Sequence, residues 1–394
     1  MNILLVEPNF PISPKSKYFK LFMPLGLLKL ASYYRKKGHK IKLVKGNILP
    51  DFHPDKILIT SLFTYWAKYV KECVQFYKTH FPYAKIVVGG IYASLMPQHC
   101  KEFTGCDEVF IGIHKSAEKC KPAYQLLFNS SPPYQILHTS RGCVRKCPFC
   151  GVWKIEPQIN FKKSIKKEIC SNNLLFFDNN LLANPFIKKI LNEISMVKWK
   201  GKPVRCEAVC GIDYRFILKD PELAILLKKA RFESIRIAWD WHYNAWKDIE
   251  KALRILQEAG YRNREMYVFM IYNWEIPFRE MEKKRIKCWE WKVQIADCRY
   301  RPLNQTYDNY DPKKHQTTED YYIHPKWTDG EVKQFRKNVR SQNICVRYNL
   351  NYYSPNLERC VIPKKEILNF KNLSFREAKK ILTDAWDPSC FTPP

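Results

Sequence analysis

With 394 residues, of which 46% are hydrophobic and 27% charged, the chain is long enough for two or three domains with sizeable cores. Gly and Pro number only 13 and 25, which excludes collagen-like, low-complexity and disordered compositions. A formal net charge of +29 points to polyanionic partners such as RNA, although much of the lysine lies on amphipathic helix faces such as 187–197 rather than in one run.

The first residues, Met1-Asn2-Ile3-Leu4-Leu5-Val6-Glu7-Pro8, lack a basic leader and meet a carboxylate early. No stretch approaches the roughly 18 uninterrupted apolar residues of a spanning helix. The chain therefore reads as cytoplasmic, with no membrane partner. In that reducing compartment its 15 cysteines are expected to bind metal or act in redox chemistry rather than form a disulfide framework.

Along the chain, 2–7 is predicted as a buried strand, 25–36 as an apolar-periodic helix stopped at Gly38, and 40–44 as a second strand. Strands at 56–62, 84–88 and 107–111 follow, with a helix over 66–80 between the first two. This rhythm predicts a doubly wound parallel sheet, with its ligand crevice beyond the carboxyl ends of the strands. The polar, proline-paired stretch at 129–133 closes the domain. A second alternating series has strands at 135–139, 174–177, 205–208, 234–238, 266–271 and 293–296, with helices such as 221–230 and 246–259. Six units suit a partial, TIM-like (β/α)6 barrel, whose active-site residues gather at the strand C-termini. From 305 the pattern becomes loops plus two helices with capping-box starts, Thr328 with Glu331 and Ser374 with Glu377. The predicted domains are thus 1–128, 129–304 and a C-terminal cap over 305–394.

The sharpest motif is Cys143-Val144-Arg145-Lys146-Cys147-Pro148-Phe149-Cys150, a C-x3-C-x2-C triplet in the loop after the strand at 135–139. A closed structural zinc site needs a fourth ligand, and no further Cys or His pair stands nearby at zinc-finger spacing. A [4Fe-4S] cluster held by three thiolates leaves one iron open for chemistry. Cys206 and Cys210 are expected to share one strand and, at four-residue spacing, one face, with simple burial as the commoner explanation, and Cys345, Cys360 and Cys390 are candidates for a second cluster.

This triplet, with Phe149 before its last cysteine, resembles the signature of the radical S-adenosylmethionine enzymes. The resemblance implies that Cys143, Cys147 and Cys150 ligate three irons, and that the amino and carboxylate groups of S-adenosylmethionine chelate the fourth. Electron transfer then cleaves the sulfonium to a 5′-deoxyadenosyl radical. Asp178, Asn179 and Asn180 stand where the family places its amino-group contacts, although the usual Gly-Gly-Glu is absent. Glu207 and Asp240, at later strand ends, are candidates for the ribose or methionine moiety, or for ion pairs with Arg205 or Arg236. Asp297, Arg299 and Arg301 follow the sixth strand. A reducing partner such as flavodoxin or ferredoxin is implied.

The first 128 residues resemble the cobalamin (B12)-binding, Rossmann-like domain that precedes the barrel in one class of this superfamily. The likeness is carried by Ile3-Leu4-Leu5-Val6-Glu7-Pro8-Asn9, Pro24-Leu25-Gly26-Leu27, Gly38-His39-Lys40-Ile41 and Val87-Val88-Gly89-Gly90-Ile91-Tyr92-Ala93-Ser94. Gly89 and Gly90 would admit a ligand close to the backbone, and Ser94 would meet a nucleotide tail. The D-x-H-x-x-G motif is missing after the first strand, and Gly112-Ile113-His114-Lys115 replaces the common Gly-Glu-Gly-Glu.

The leading expectation is therefore a cobalamin-dependent methyltransferase acting at an unactivated carbon. One alternative is a cobalamin-independent radical enzyme that modifies RNA or a peptide, with Trp239, Trp241, Trp274, Trp289 and Trp291 as stacking platforms or as core. Another, from a different class, is a non-enzymatic zinc-containing nucleic-acid-binding protein.

Overall fold

The computed structural model describes residues 1–12 and 23–348. It is a mixed α/β structure built on parallel sheets, divided into two compact units. The first comprises Met1–Cys210, Lys229–Phe232 and Arg301–Tyr322. The second comprises Gly211–Lys228, Glu233–Tyr300 and the described residues from Ile323 onward. Among the described residues, no helix is long and apolar enough to cross a membrane.

In the first unit, strands β1 (Asn2–Glu7), β2 (Lys40–Lys45), β3 (Lys56–Ser61), β4 (Lys85–Gly90) and β5 (Glu108–Phe110) form a parallel sheet of order β2-β1-β3-β4-β5. Helices α1 (Leu25–Lys36), α2 (Ala67–His80), α3 (Ile91–Leu95), α4 (Pro97–Thr104) and α5 (Lys115–Glu118) accompany it. Successive strand residues point to opposite faces, and both faces are covered, so the strands need near-continuous apolar runs. Leu4, Val6, Ile57 and Ile59 pack with Val70, Val74 and Tyr77 of α2 on one face. Ile3, Leu5 and Leu58 pack with Leu27 and Ala31 of α1 on the other. The strand order reverses between β1 and β3, the switch point at which sheets of this kind open their crevice.

The same unit continues with β6 (Gln135–Leu137), β7 (Ser140–Arg141), α6 (Val152–Ile155), β8 (Asn160–Phe161), β9 (Asn173–Phe176), α7 (Ile187–Met196), the hairpin β10 (Lys198–Trp199) and β11 (Lys202–Pro203), and β12 (Arg205–Ala208). β6, β9 and β12 run parallel, with β9 between the other two, and the two-residue β13 (Phe232–Glu233) lies at the edge beside β12. The strand predicted over 135–139 stops at Leu137, because the Thr139 N–H turns to the carboxylate of Asp178. β12 ends at Ala208, so Cys206 and Cys210 do not share a strand face: Cys206 is buried and Cys210 exposed.

The second unit carries α8 (Tyr214–Lys219) and α9 (Glu222–Lys229). After the two-residue β13 (Phe232–Glu233) come β14 (Ile235–Ala238), α10 (Trp246–Glu258), β15 (Met266–Tyr272), α11 (Phe278–Glu290), β16 (Gln294–Arg299) and α12 (Asp329–Arg347). β14, β15 and β16 are parallel, and α10 and α11 provide the crossovers that such pairs require. Thr328 caps α12 and forms the predicted capping box with Glu331. The α12 helix is tied to α11 by Arg285 donating to Gln342 at 2.8 Å, and to β16 by Asn343, which bonds both the N–H and the C=O of Ile295. The capping box at Ser374 and the cysteines Cys360 and Cys390 lie outside the described residues.

Candidate metal centre and cofactor crevice

The cysteine loop leaves the carboxyl end of β6 under tight control. Asp178, only 2% exposed just after β9, accepts four short hydrogen bonds at Oδ1: from the N–H and hydroxyl of Thr139 at 2.9 and 2.6 Å, and from the N–H and hydroxyl of Ser140 at 2.7 and 2.8 Å. Asn184 donates to the C=O of both Thr139 and Lys162, and β7 pairs antiparallel with β8. The segment containing all three cysteines is thereby pinned where it leaves and where it returns.

Within the loop, Gly142 has φ +76°, and its N–H donates to Glu156 Oε2 at 2.7 Å. A Cβ at this position would lie 2.7 Å from the Gln158 carbonyl oxygen, so only glycine fits. The Arg145 N–H points at the Cys143 sulfur at 3.4 Å, and the Cys147 C=O accepts from the Cys150 N–H and from the Trp153 indole. Cys143, Cys147 and Cys150 form no disulfide and are at intermediate exposure, with Phe149 half-buried among them in the sequence. Among the described residues, no three His, Cys, Asp or Glu side chains are gathered closely enough to hold a metal ion. The fit to a cluster therefore rests on the donor set: three thiols in eight residues, on a pinned loop, with the sulfur of one already facing a backbone N–H.

The other predicted site residues are distributed unevenly. Burial pushes the Asp178 carboxyl up against the pull of its hydrogen bonds to Thr139 and Ser140, and those bonds commit its Oδ1 to the loop. Asn179 donates to Glu156 at 3.3 Å, and Asn180 is buried. Glu207 is buried on β12, in the same unit as the cysteines. Asp240, half-buried after β14, belongs to the second unit, as does the fully buried Lys284, which donates to the C=O of Trp239 and Trp241 at 2.6 and 2.9 Å. Trp239 and Trp274 are core residues, and Trp241 is 39% exposed.

At the carboxyl edge of the first sheet, Gly90 has φ +106°, and a Cβ there would lie 2.2 Å from the Ser61 carbonyl oxygen. Ser94 donates to the Gly90 C=O at 2.7 Å and accepts from the Gly112 N–H at 2.9 Å, so it brackets the ends of β4 and β5. Gly89 lines a cavity of about 390 Å³ between α1 and the sheet, with Tyr34, Leu58 and Phe110 among its walls, within the small-molecule range. Glu7, where β1 ends, is 5% exposed, and burial pushes its carboxyl up. His114 caps α5 by accepting from the Ala117 N–H and stacks on Phe110. The crevice and the cysteine loop adjoin: a Cβ on Gly151, the residue after Cys150, would lie 3.1 Å from Leu95 of α3.

Sequence reasoning missed a largely shielded charge network between them. Arg141 donates to Glu118 of α5 through Nε and Nη2, at 2.9 and 3.1 Å, and to Glu156 through Nη1 at 3.3 Å. Lys29 of α1 meets Glu118 at 2.8 Å. Burial works to raise the Glu118 carboxyl, but Arg141 and Lys29 outweigh it and hold it below its ordinary value. Burial, reinforced by the Arg141 cation, keeps His138 well below the usual histidine range. Four charges spread over α1, α5 and the loop form no motif, so no sequence signal announces them.

Compared with known proteins, the chain matches no family model and no curated protein.

Proposed function

We propose that the chain is a radical S-adenosylmethionine enzyme. The single observation that carries this reading is the C-x3-C-x2-C loop, its three cysteines outside any disulfide, held at the carboxyl end of a parallel strand by Asp178 and Glu156. Cys143, Cys147 and Cys150 would hold a [4Fe-4S] cluster, which when bound supplies the electron that cleaves the sulfonium of S-adenosylmethionine to a 5′-deoxyadenosyl radical. Asp178 acts as a positioning residue for the loop, because its carboxylate is committed to Thr139 and Ser140. Asn179, Asn180 and Glu207, in the same unit as the loop, are the polar groups for the amino and ribose portions. In this reading β6, β9, β12, β14, β15 and β16 are the six strands of a partial barrel that follows a cobalamin-type domain.

Within this reading the leading product is a methyl group on an unactivated carbon, with cobalamin over the edge formed by Gly89 and Gly90. A second reading, radical modification of RNA or a peptide without cobalamin, is favoured by Ser94, whose hydroxyl is used internally, and by the net charge of +29.

The test is anaerobic purification and cluster reconstitution with iron, sulfide, cobalt and zinc analysis, followed by incubation with dithionite and S-adenosylmethionine. About four irons per chain with release of 5′-deoxyadenosine is the expected result. Bound cobalt then selects methyl transfer, and its absence selects the second reading. Zinc without iron, with the sulfonium intact, overturns the enzyme reading in favour of a zinc-containing nucleic-acid binder.

A further inference from the structure

We propose that Arg141 is a second positioning residue of the cysteine loop, beside Asp178, stapling its two ends together and anchoring the staple to the helices of the first sheet. What the loop would hold rests on the radical reading; the staple itself does not. The Arg141–Glu156 pair at 3.3 Å encloses residues 142–155, and with them all three cysteines. Glu156 also accepts from the Gly142 N–H at 2.7 Å, so the staple ends one residue before Cys143.

The other side of the guanidinium is the anchor. Its Nε and Nη2 grip both oxygens of Glu118 in α5, and Glu118 is held in turn by Lys29 of α1. A third contact, Nη1 to His138 Nε2 at 3.1 Å, joins it to the end of β6. The side chains are largely shielded, with exposures of 10% for Lys29, 21% for Glu118 and Arg141 and 13% for Glu156. Two cations balance two carboxylates, so removing one member strands the others in partly desolvated surroundings. A planar fork reaches Glu118, Glu156 and His138 at once, which a lysine ammonium, as a point charge, does not.

The experiment is amide hydrogen exchange on the full, metal-free chain, comparing the parent with Arg141→Ala and Arg141→Lys. In Arg141→Ala, residues 142–155 are expected to exchange about tenfold faster while β1, β3 and β4 keep their protection. Arg141→Lys is expected to fall between the two, since it retains the charge opposite Glu118 and loses the second arm. Loop exchange within about twofold of the parent overturns the proposal, and so does an equal rise in the loop and the first sheet, which marks a general stabiliser. If Arg141→Ala does not fold, Glu156→Gln removes the loop-side charge while sparing the Glu118 grip, and the same loop-confined acceleration is required. Because the readout needs no metal, a parent chain that binds no iron counts against the radical reading alone. In a chain that does bind iron, Arg141→Ala is also expected to alter the paramagnetic resonance line shape of the reduced cluster.

Discussion

Asp178 accepts both the backbone N–H and the hydroxyl of Ser140, at 2.7 and 2.8 Å, across 38 residues of sequence. This joins the end of β9 to a point three residues before Cys143. Replacing Asp178 with Ala leaves buried donors on Thr139 and Ser140 without their acceptor and should cost about 3 kcal/mol or more in urea unfolding. Asp178→Asn keeps the shape and one acceptor and should cost about 1–2 kcal/mol. A cost for Asp178→Ala no larger than for an exposed aspartate would remove its positioning role.

Gly142, Gly90 and Gly38 form a graded series. All three have positive φ, but a Cβ meets nothing within 4 Å at Gly38, a carbonyl oxygen at 2.7 Å at Gly142 and one at 2.2 Å at Gly90. Gly38→Ala should cost about 1 kcal/mol from conformation alone, with Gly142→Ala clearly worse and Gly90→Ala worst, because backbone must move. Melting temperatures in that order are the expected result; equal losses at all three would refute the close approach at Gly142 and Gly90.

Each thiol of the triplet should be needed for iron. Single Cys143→Ser, Cys147→Ser and Cys150→Ser variants are expected to lose most reconstituted iron, whereas Cys73→Ser and Cys206→Ser, both buried and outside the loop's sequence, should retain it. Iron retained at parental levels in all three loop variants would exclude the triplet as ligands.

Lys284 makes stability depend on pH. Burial pushes its ammonium down to about 7, while an unfolded lysine titrates near 10.4. Between those values the unfolded chain binds more protons than the folded one, so this group's contribution to stability rises with pH by about 1.4 kcal/mol per unit. That contribution is complete above the unfolded value and is lost as pH falls through about 7. Urea midpoints at pH 7 and pH 9 should therefore rise less in Lys284→Met than in the parent. Identical rises would show that the buried amine is not the titrating group.

Much of the framework was legible because local periodicity reports it. The runs at 2–7, 56–62 and 84–88 carry continuous apolar centres, Ile3–Val6, Ile57–Ile59 and Ile86–Val88, because both sheet faces are covered, and Pro8 and Gly89 mark where the first and last stop. The capping box at Thr328 and Glu331 was readable for the same reason: its partners are three residues apart. Cys206 and Cys210 show the limit of this reasoning, since a two-residue period carries no meaning past Ala208, where the strand ends.

The sequence by itself determined the alternating elements, the place of the cysteine triplet after β6, and the glycines that must turn, because each depends on residues that are neighbours in the chain. Only the tertiary structure decided that Asp178 and Ser94 spend their oxygens on the backbone around them, and that Arg141 links Glu118 to Glu156. The Asp178 and Arg141 pairings cross separations of 39, 23 and 15 residues with no period to announce them. They arise because burial forces each polar group to find whichever partner the packed elements bring within reach.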